Sequence, residues 1–165
     1  MVELSGVSFG YQSDKNVLDN LNLRMEEGRF YGLLGMNGSG KTTLLKLIAG
    51  KLFAHGGEIY VDGRNLRERD VETLQKVFML PADFIFPNMS LEQFLAIYSE
   101  FYPEFRKEVL NDCLVNFEIQ RDIKNLNQLS LGEKHKVAFS IALSLGTKIV
   151  LLDEAANGMD IPARK

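Results

Sequence analysis

The chain has 165 residues, 45% of them hydrophobic and 25% charged, which is enough for one globular domain with a substantial core. Its net charge of -3 provides no overall basic field, so we expect no nucleic-acid partner. A single cysteine excludes an internal disulfide. We see no secretory signal and no apolar run near the roughly 20 residues that span a bilayer. We therefore expect a cytoplasmic protein that reaches a membrane only through a partner.

The first third of the chain is predicted to be rich in strands. Residues 2–9 alternate loosely between apolar and polar, residues 18–25 alternate clearly, and residues 29–34 form a short apolar run that ends at Gly35. After Gly40 the spacing becomes helical until Gly50. Residues 58–61 predict a further strand.

Residues 66–145 are predicted to be mostly helical, after which residues 148–152 predict a strand buried on both faces. A short strand at 76–80 comes first, and Ser90 then caps a helix over 91–101, with Gln93 completing a capping box. Pro103 is expected to start a second helix, and residues 130–145 predict a third. The expected apolar face of the second helix comprises Phe105, Val109, Cys113 and Phe117. The aromatic residues Phe94, Tyr98, Phe101 and Tyr102 suit either core packing or a partner-docking face, and core packing is favoured.

Residues 35–42 read GMNGSGKT and fit the Walker A pattern G-x-x-x-x-G-K-[ST], between a predicted strand and a predicted helix. Glycines allow successive amides to turn inward around phosphate oxygens, and the helix N-terminus attracts anions. Lys41 is expected to reach the β- and γ-phosphates, and the Thr42 hydroxyl to ligate Mg²⁺. The candidate nucleotide-binding residues are Gly35, Asn37, Gly38, Ser39, Gly40, Lys41, Thr42 and Thr43.

Two carboxylates, Asp153 and Glu154, follow the apolar run at 148–152. Alone, such a pair suits a solvated turn. Beside a phosphate loop, at the carboxyl end of a strand, the pair predicts that the active site lies at this edge of the sheet. Asp153 is expected to hold Mg²⁺ through water, and Glu154 to polarise the water that attacks the γ-phosphate.

Residues 129–133, LSLGE, precede the third helix, and Ser130 with Glu133 also forms an ordinary capping box. In this order, the three motifs resemble those of the ABC ATPase family, whose signature is L-S-G-G-Q. The resemblance covers residues 2–165. It implies an α/β fold: a P-loop NTPase three-layer sandwich of ABC ATPase type with N-terminal antiparallel β strands and a helical subdomain. It implies one domain over 1–165, C-terminally truncated, with the helical subdomain at about 85–145.

The resemblance also implies roles for further residues. Tyr11 lies where the family's aromatic residue stacks on adenine, and residues 158–160 lie where its D-loop follows the catalytic glutamate. Two copies, or one copy and a related ATPase subunit, would pair head to tail on ATP binding. Ser130 and Gly132 of one copy would then face the ATP held by the other.

The function implied is ATP binding and hydrolysis that drives solute transport across a membrane, as the nucleotide-binding subunit of an ABC transporter. The protein would be peripheral at the inner face of the cell membrane through a permease partner. Residues 80–87 and 101–103 look most like efflux-type ATPases. Two alternatives stay open: a soluble ABC ATPase that acts on ribosomes or chromosomes, and a regulatory module that binds nucleotide without catalysis.

The sequence departs from the family pattern in several places. Leu131 replaces the first signature glycine, Glu133 replaces the glutamine, and Ala82 stands where the family's Q-loop usually has glutamine. Neither His55 nor His135 lies where a switch histidine would come, and both are expected on solvated faces.

The end of the chain predicts one more feature. Asp160 and Pro162 suit the start of a helix, and the chain stops at Lys165. We expect a truncated domain that binds ATP, hydrolyses it poorly, and exposes an apolar edge that favours self-association.

Overall fold

A computed structural model describes residues 1–12 and 14–154 of the chain. The chain divides into two compact units, Met1–Val77 and Phe78–Lys165. The elements of the first unit are β1 (Val2–Phe9), β2 (Leu18–Met25), α1 (Lys41–Ile48), β3 (Gly56–Val61), β4 (Arg64–Asn65) and α2 (Val71–Gln75). The second unit contains β5 (Val77–Leu80, which begins one residue before the boundary), α3 (Leu91–Phe101), α4 (Lys107–Asn116), α5 (Leu131–Ser144) and β6 (Ile149–Leu152).

The four N-terminal strands form an antiparallel sheet in the order β2-β1-β3-β4. The loose alternation of β1 has a structural cause at Gly6, where the pairing with β2 shifts register between Leu4 and Val7. Between these two pairs β1 has one residue more than β2, so the alternation of inward and outward side chains in β1 shifts by one. Leu4 and Val7 are therefore both buried. A Cβ on Gly57 would lie 2.3 Å from the carbonyl oxygen of Gly6, so only glycine allows this close approach. The N-terminal antiparallel strands are therefore present as predicted.

The strand predicted at residues 29–34 is wrong. These residues have no regular secondary structure and pair with no strand among the described residues, and Leu34 exposes 94% of its surface. An apolar run becomes a strand only where another strand offers its backbone groups. None of the described strands does so here.

The second unit is built around one apolar cluster. Its buried members come from β5, the three helices and the turns between them: Phe78, Leu80, Phe86, Leu91, Phe94, Leu110, Leu114, Ile123, Leu126, Val137, Ala138, Ile141, Ala142 and Leu145. Phe94 stacks on Tyr98, with ring centroids 4.2 Å apart, and Tyr98 stacks on Tyr102 at 6.4 Å. Core packing is thus confirmed for these three rings, whereas Phe101 is exposed.

Helix α4 begins at Lys107 rather than at Pro103, so the predicted start is wrong. The Phe105 N–H donates to the Tyr102 carbonyl at 3.0 Å, which closes a turn with Pro103 at its second position. Proline is favoured there because its fixed φ suits the turn. The buried residues of α4 are Leu110 and Leu114; of the predicted apolar face, Val109 and Cys113 are half-buried, and Phe105 and Phe117 lie outside the helix.

Strands β5 and β6 form a two-stranded sheet. The Asp153 N–H donates to the Leu80 carbonyl at 3.0 Å, just past both strand ends. The two strands therefore end at the same edge of their sheet, as parallel strands do. All four residues of β5 are buried, but Leu152 of β6 is 38% exposed, so the prediction that β6 is buried on both faces is wrong.

Candidate functional site

The phosphate loop depends on its glycines. Gly38 and Gly40 have φ angles of +83° and +92°, in the left-handed region that side chains disfavour. A Cβ on Gly35 would lie 2.6 Å from the Ser39 hydroxyl oxygen. The Ser39 N–H donates to the Met36 carbonyl at 3.2 Å, which closes the turn. This backbone is the kind that can direct amides inward around an anion.

Helix α1 follows the loop at once and leaves its N-terminus available to an anion. Its N-cap is Gly40, and in the described chain no side chain caps it and no acidic residue lies in its first turn. The first N–H groups of a helix have no partner inside the helix, and the helix dipole is positive at that end. Residues 35–43 therefore have a local structure that favours an anion.

Lys41 is folded back over the phosphate loop. Its ammonium group donates to the carbonyl oxygens of Gly35 and Met36, at 2.8 and 2.9 Å. These bonds hold the one positive charge of the motif above the loop. The loop amides, the α1 N-terminus and this cation are the donor set that a triphosphate requires, so the residues present fit ATP.

Tyr11 lies beside the start of α1. Its hydroxyl is 3.2 Å from the Thr43 hydroxyl, and its ring meets Phe9 edge to face at 5.1 Å. The residue is 61% exposed. The contact with Thr43, which the sequence did not signal, places an open aromatic ring next to the phosphate loop.

Asp153 and Glu154 lie at the edge where β5 and β6 end. Asp153 is only 7% exposed, and Glu154 is exposed. Glu154 has a φ of +51°, a strained conformation for a residue with a side chain. Such strain is concentrated at functional sites because the surrounding structure must maintain it.

The capping box at the start of α5 is confirmed. The Ser130 hydroxyl donates to a Glu133 carboxylate oxygen at 2.6 Å, the Ser130 N–H donates to the same oxygen at 2.9 Å, and the Glu133 N–H donates to the Ser130 hydroxyl at 3.3 Å. The hydroxyl first, and then the N–H, hold the pKa of Glu133 below its ordinary value. Leu131 is exposed and Gly132 is half-buried, so the start of the helix is open to solvent.

His135 is not on a solvated face, and that expectation is wrong. It is half-buried and lines a small pocket with Ala82, Glu154 and four apolar neighbours. Its Nδ1 atom is buried and has no hydrogen-bond partner in the part of the chain that the structure describes. The sequence of α5 alone does not show that the end of β5 and the turn after it lie beside His135, so the solvated face was predicted.

The predicted site residues fall into two groups. The phosphate loop and Tyr11 lie in the first unit, and Ser130, Asp153 and Glu154 lie in the second. That the carboxylates face the loop across a metal stays a prediction. The expected D-loop, 158–160, and the helix start at Asp160 lie outside the described residues. No cluster of three or more His, Cys, Asp or Glu suited to a metal occurs among the described residues.

Comparison with solved structures defines the class of fold. A putative ABC transporter ATP-binding protein from Pyrococcus furiosus aligns with a TM-score of 0.81 and 32% identity, over 96% of this chain and 78% of that one. The ATP-binding cassette MJ0796, solved as a dimer in a post-hydrolysis state with ADP and phosphate bound, aligns with a TM-score of 0.80 and 27% identity, over 97% and 76%. The fold is therefore the α/β fold of ABC ATPase domains.

The family follows from the sequence comparison. A family model described as ABC transporter matches residues 18–157, so the chain belongs to the ABC transporter family. The ABC transporter ATP-binding protein YtrB of Bacillus subtilis is 30% identical over 164 residues, which are 99% of this chain and 56% of YtrB. The chain thus spans little more than half the length of this relative. Among the described helices, none is long and apolar enough to cross a membrane.

Proposed function

We propose that this chain binds ATP and hydrolyses it to drive solute transport, as the nucleotide-binding subunit of an ABC transporter of the efflux type. The observation that carries the proposal is the phosphate loop, where three glycines, the uncapped start of α1 and the Lys41 ammonium meet within one short segment. Family membership and the names of the relatives support the transport role.

The nucleotide would be held by residues of the first unit. The amides at 35–43 bind the phosphates, Lys41 moves from its two carbonyl partners to the β- and γ-phosphates, and Tyr11 stacks on adenine. The Thr42 hydroxyl and the Asp153 carboxylate are oxygen donors of the kind that Mg²⁺ prefers. When bound, the ion would neutralise charge on the phosphates.

Glu154 would act as the general base in this reaction. Its carboxylate polarises the attacking water, while Lys41 stabilises the negative charge that develops on the phosphoryl oxygens. The exposure of Glu154 just after β6 supports this role, because an exposed carboxylate is accessible to water.

A head-to-tail pair, of two copies or of this chain and a related subunit, would complete the site on ATP binding. Ser130 and Gly132 lie at the solvent-open start of α5, where N–H groups and the helix dipole favour an anion. The solved dimer of MJ0796 supports such pairing in a relative. Glu133 adds negative charge at this helix start, which would weaken the pair.

We further propose that a membrane permease is the partner and that the protein lies at the inner face of the cell membrane. The net charge of -3 gives no overall basic field toward RNA or DNA, which supports this proposal over a soluble ABC ATPase acting on ribosomes or chromosomes. Purification of the protein from detergent-solubilised membranes tests it. Recovery of a membrane protein is expected, and recovery of RNA alone would favour the soluble alternative.

The decisive experiment replaces Glu154 by Gln in the full natural protein. E154Q should lower ATP turnover by about 100-fold or more, because general-base catalysis is lost, while the Kd for Mg-ATP changes by less than about three-fold. E100Q, which alters an exposed glutamate on α3, is the matched control and should leave both unchanged. Turnover by E154Q at the wild-type rate would exclude catalysis by Glu154.

The 165-residue chain by itself should bind ATP but hydrolyse it poorly. Ala82 offers no side-chain amide where the family's Q-loop usually has glutamine. Binding is measured with a fluorescent ATP analogue, and turnover by phosphate release. Steady turnover at the rate of a complete subunit would contradict this expectation.

A further inference from the structure

Gly10 directly follows β1 and is buried against the backbone of a tight turn. Gln12 and Lys15 pair as an antiparallel bridge, and the Lys15 N–H donates to the Gln12 carbonyl at 3.4 Å, which closes the turn. A Cβ at position 10 would overlap the Lys15 carbonyl oxygen and lie 2.9 Å from the Gln12 carbonyl oxygen. Any other amino acid would therefore force the turn away from the end of β1, so its observed position requires glycine.

Tyr11 joins Gly10 to this turn, so a shift of the turn relative to Gly10 moves Tyr11 as well. Two contacts of Tyr11 depend on the direction in which the chain leaves β1. Its ring meets Phe9 edge to face at 5.1 Å, and its hydroxyl is 3.2 Å from the Thr43 hydroxyl. The position of this exposed residue beside the start of α1 is therefore tied to the turn that only glycine permits.

The phosphate loop is supported by a different contact of the same segment. The Val17 N–H donates to the Phe9 carbonyl at 2.7 Å, which returns the chain to the end of β1. Val17 lies against Gly40, since a Cβ on Gly40 would be 3.0 Å from the Val17 side chain. Neither contact involves Gly10. Displacement of the turn can therefore move the Tyr11 ring and leave the phosphate loop in place.

We propose that Gly10 is a positioning residue for recognition of the nucleobase: it lets the turn lie close to β1, so that the Tyr11 ring stands where adenine stacks. The proposal rests on the role of Tyr11 proposed above. Stacking contacts the base and not the phosphates. Gly10 therefore acts on the affinity for ATP and not on the affinity for a triphosphate without a base.

Calorimetric titration of the full natural protein with Mg-ATP and with inorganic tripolyphosphate plus Mg²⁺ tests this role. G10A should raise the Kd for Mg-ATP about five-fold or more, as loss of a stacked base does, and change the Kd for tripolyphosphate less than about two-fold. G56A is the matched control, because a Cβ on Gly56 would meet its nearest neighbour, the Ser8 Cβ, at an ordinary 3.9 Å. Both of its constants should stay at the wild-type values. In the Y11A background, G10A should cause no further loss, because its effect passes through Tyr11.

A second variant loosens the turn without adding atoms at the buried position. Asp14 and Lys15 are exposed, and exposed loop tips accept insertions, so two glycines inserted between them should leave the fold intact. The longer turn no longer fixes Tyr11, so this variant should show the same selective loss of affinity for Mg-ATP. It decides the matter if G10A does not fold, which the melting temperature of each variant reports.

The outcomes distinguish this proposal from the proposed function. If G10A folds and binds Mg-ATP as the wild type does, or if the insertion does so where G10A does not fold, the positioning role is overturned and the ATPase proposal stands. Equal losses of affinity for Mg-ATP and tripolyphosphate, or losses in G10A and Y11A that add, would likewise overturn it, because Gly10 would then not act through the ring. If the wild-type protein binds no Mg-ATP, the proposed function fails too.

Discussion

At the scale of single residues, two contacts hold Tyr11 beside the start of α1. Its hydroxyl is tethered 3.2 Å from Thr43 at the start of α1, and Phe9 supports its ring from one edge. The open face is therefore held near the phosphate loop without being covered. Stacking of a base on such a ring contributes about 1–3 kcal/mol in nucleic-acid complexes.

We predict that Y11A weakens ATP binding about ten-fold or more, because the stacking surface is removed. Y11F is the matched control. It keeps the ring and loses only the contact with Thr43, so its Kd should stay within about two-fold of the wild type. Titration with a fluorescent ATP analogue measures both, and equal losses in the two variants would assign the effect to the hydroxyl instead of the ring.

At the scale of elements, α3 and α5 both begin with a capping box, but the two boxes contain different side chains. Ser90 pairs with Gln93 at α3, and Ser130 pairs with Glu133 at α5. Only the second box contains an ionisable group. Since its partners hold the pKa of Glu133 below the ordinary value of 4.5, ionised Glu133 stabilises the folded state. This contribution is present above the unfolded pKa and is lost as pH falls through the folded pKa.

We predict that the loss of melting temperature in S130A is largest near neutral pH and shrinks as pH falls below about 4.5, where Glu133 takes up a proton. The loss in S90A, which removes a cap worth about 1 kcal/mol, should not follow pH in this way because Gln93 does not ionise. Thermal unfolding followed by circular dichroism at several pH values compares them. Parallel behaviour of the two variants would show that the charge of Glu133 contributes nothing to the cap.

At the scale of the whole molecule, the apolar segment (residues 30–36) is the most exposed hydrophobic feature of the described chain. Phe30, Leu34 and Met36 are almost fully exposed, although the phosphate loop begins inside this segment. A contiguous exposed apolar segment is a surface on which chains associate.

We predict that the 165-residue chain self-associates, with an apparent mass that rises with protein concentration in light scattering after gel filtration. L34K should weaken this association several-fold, because a charge in the segment resists burial. V115K is the matched control, since Val115 is an exposed apolar residue on α4 outside the segment, and it should associate as the wild type does. A monodisperse wild-type monomer at every concentration would contradict the prediction.

The sequence by itself determined those features whose hydrogen bonds and torsions lie within a few residues of one another. The phosphate loop follows from glycines that alone accept its backbone angles, and α1 follows directly behind it. The caps at Ser90 and Ser130 follow from side chains that bond to amides three residues ahead. These parts were predictable because nothing distant is needed to form them.

Only the tertiary structure decided the features that depend on distant partners. Residues 29–34 have the composition of a strand, yet a strand exists only where another backbone pairs with it. Pro103 was compatible with a helix start and with a turn, and the contact of the Arg106 N–H with the Ser144 carbonyl accompanies the later start. His135 reached the pocket beside Glu154 because β5, α5 and β6 pack in one cluster, a relation between segments that no local pattern contains.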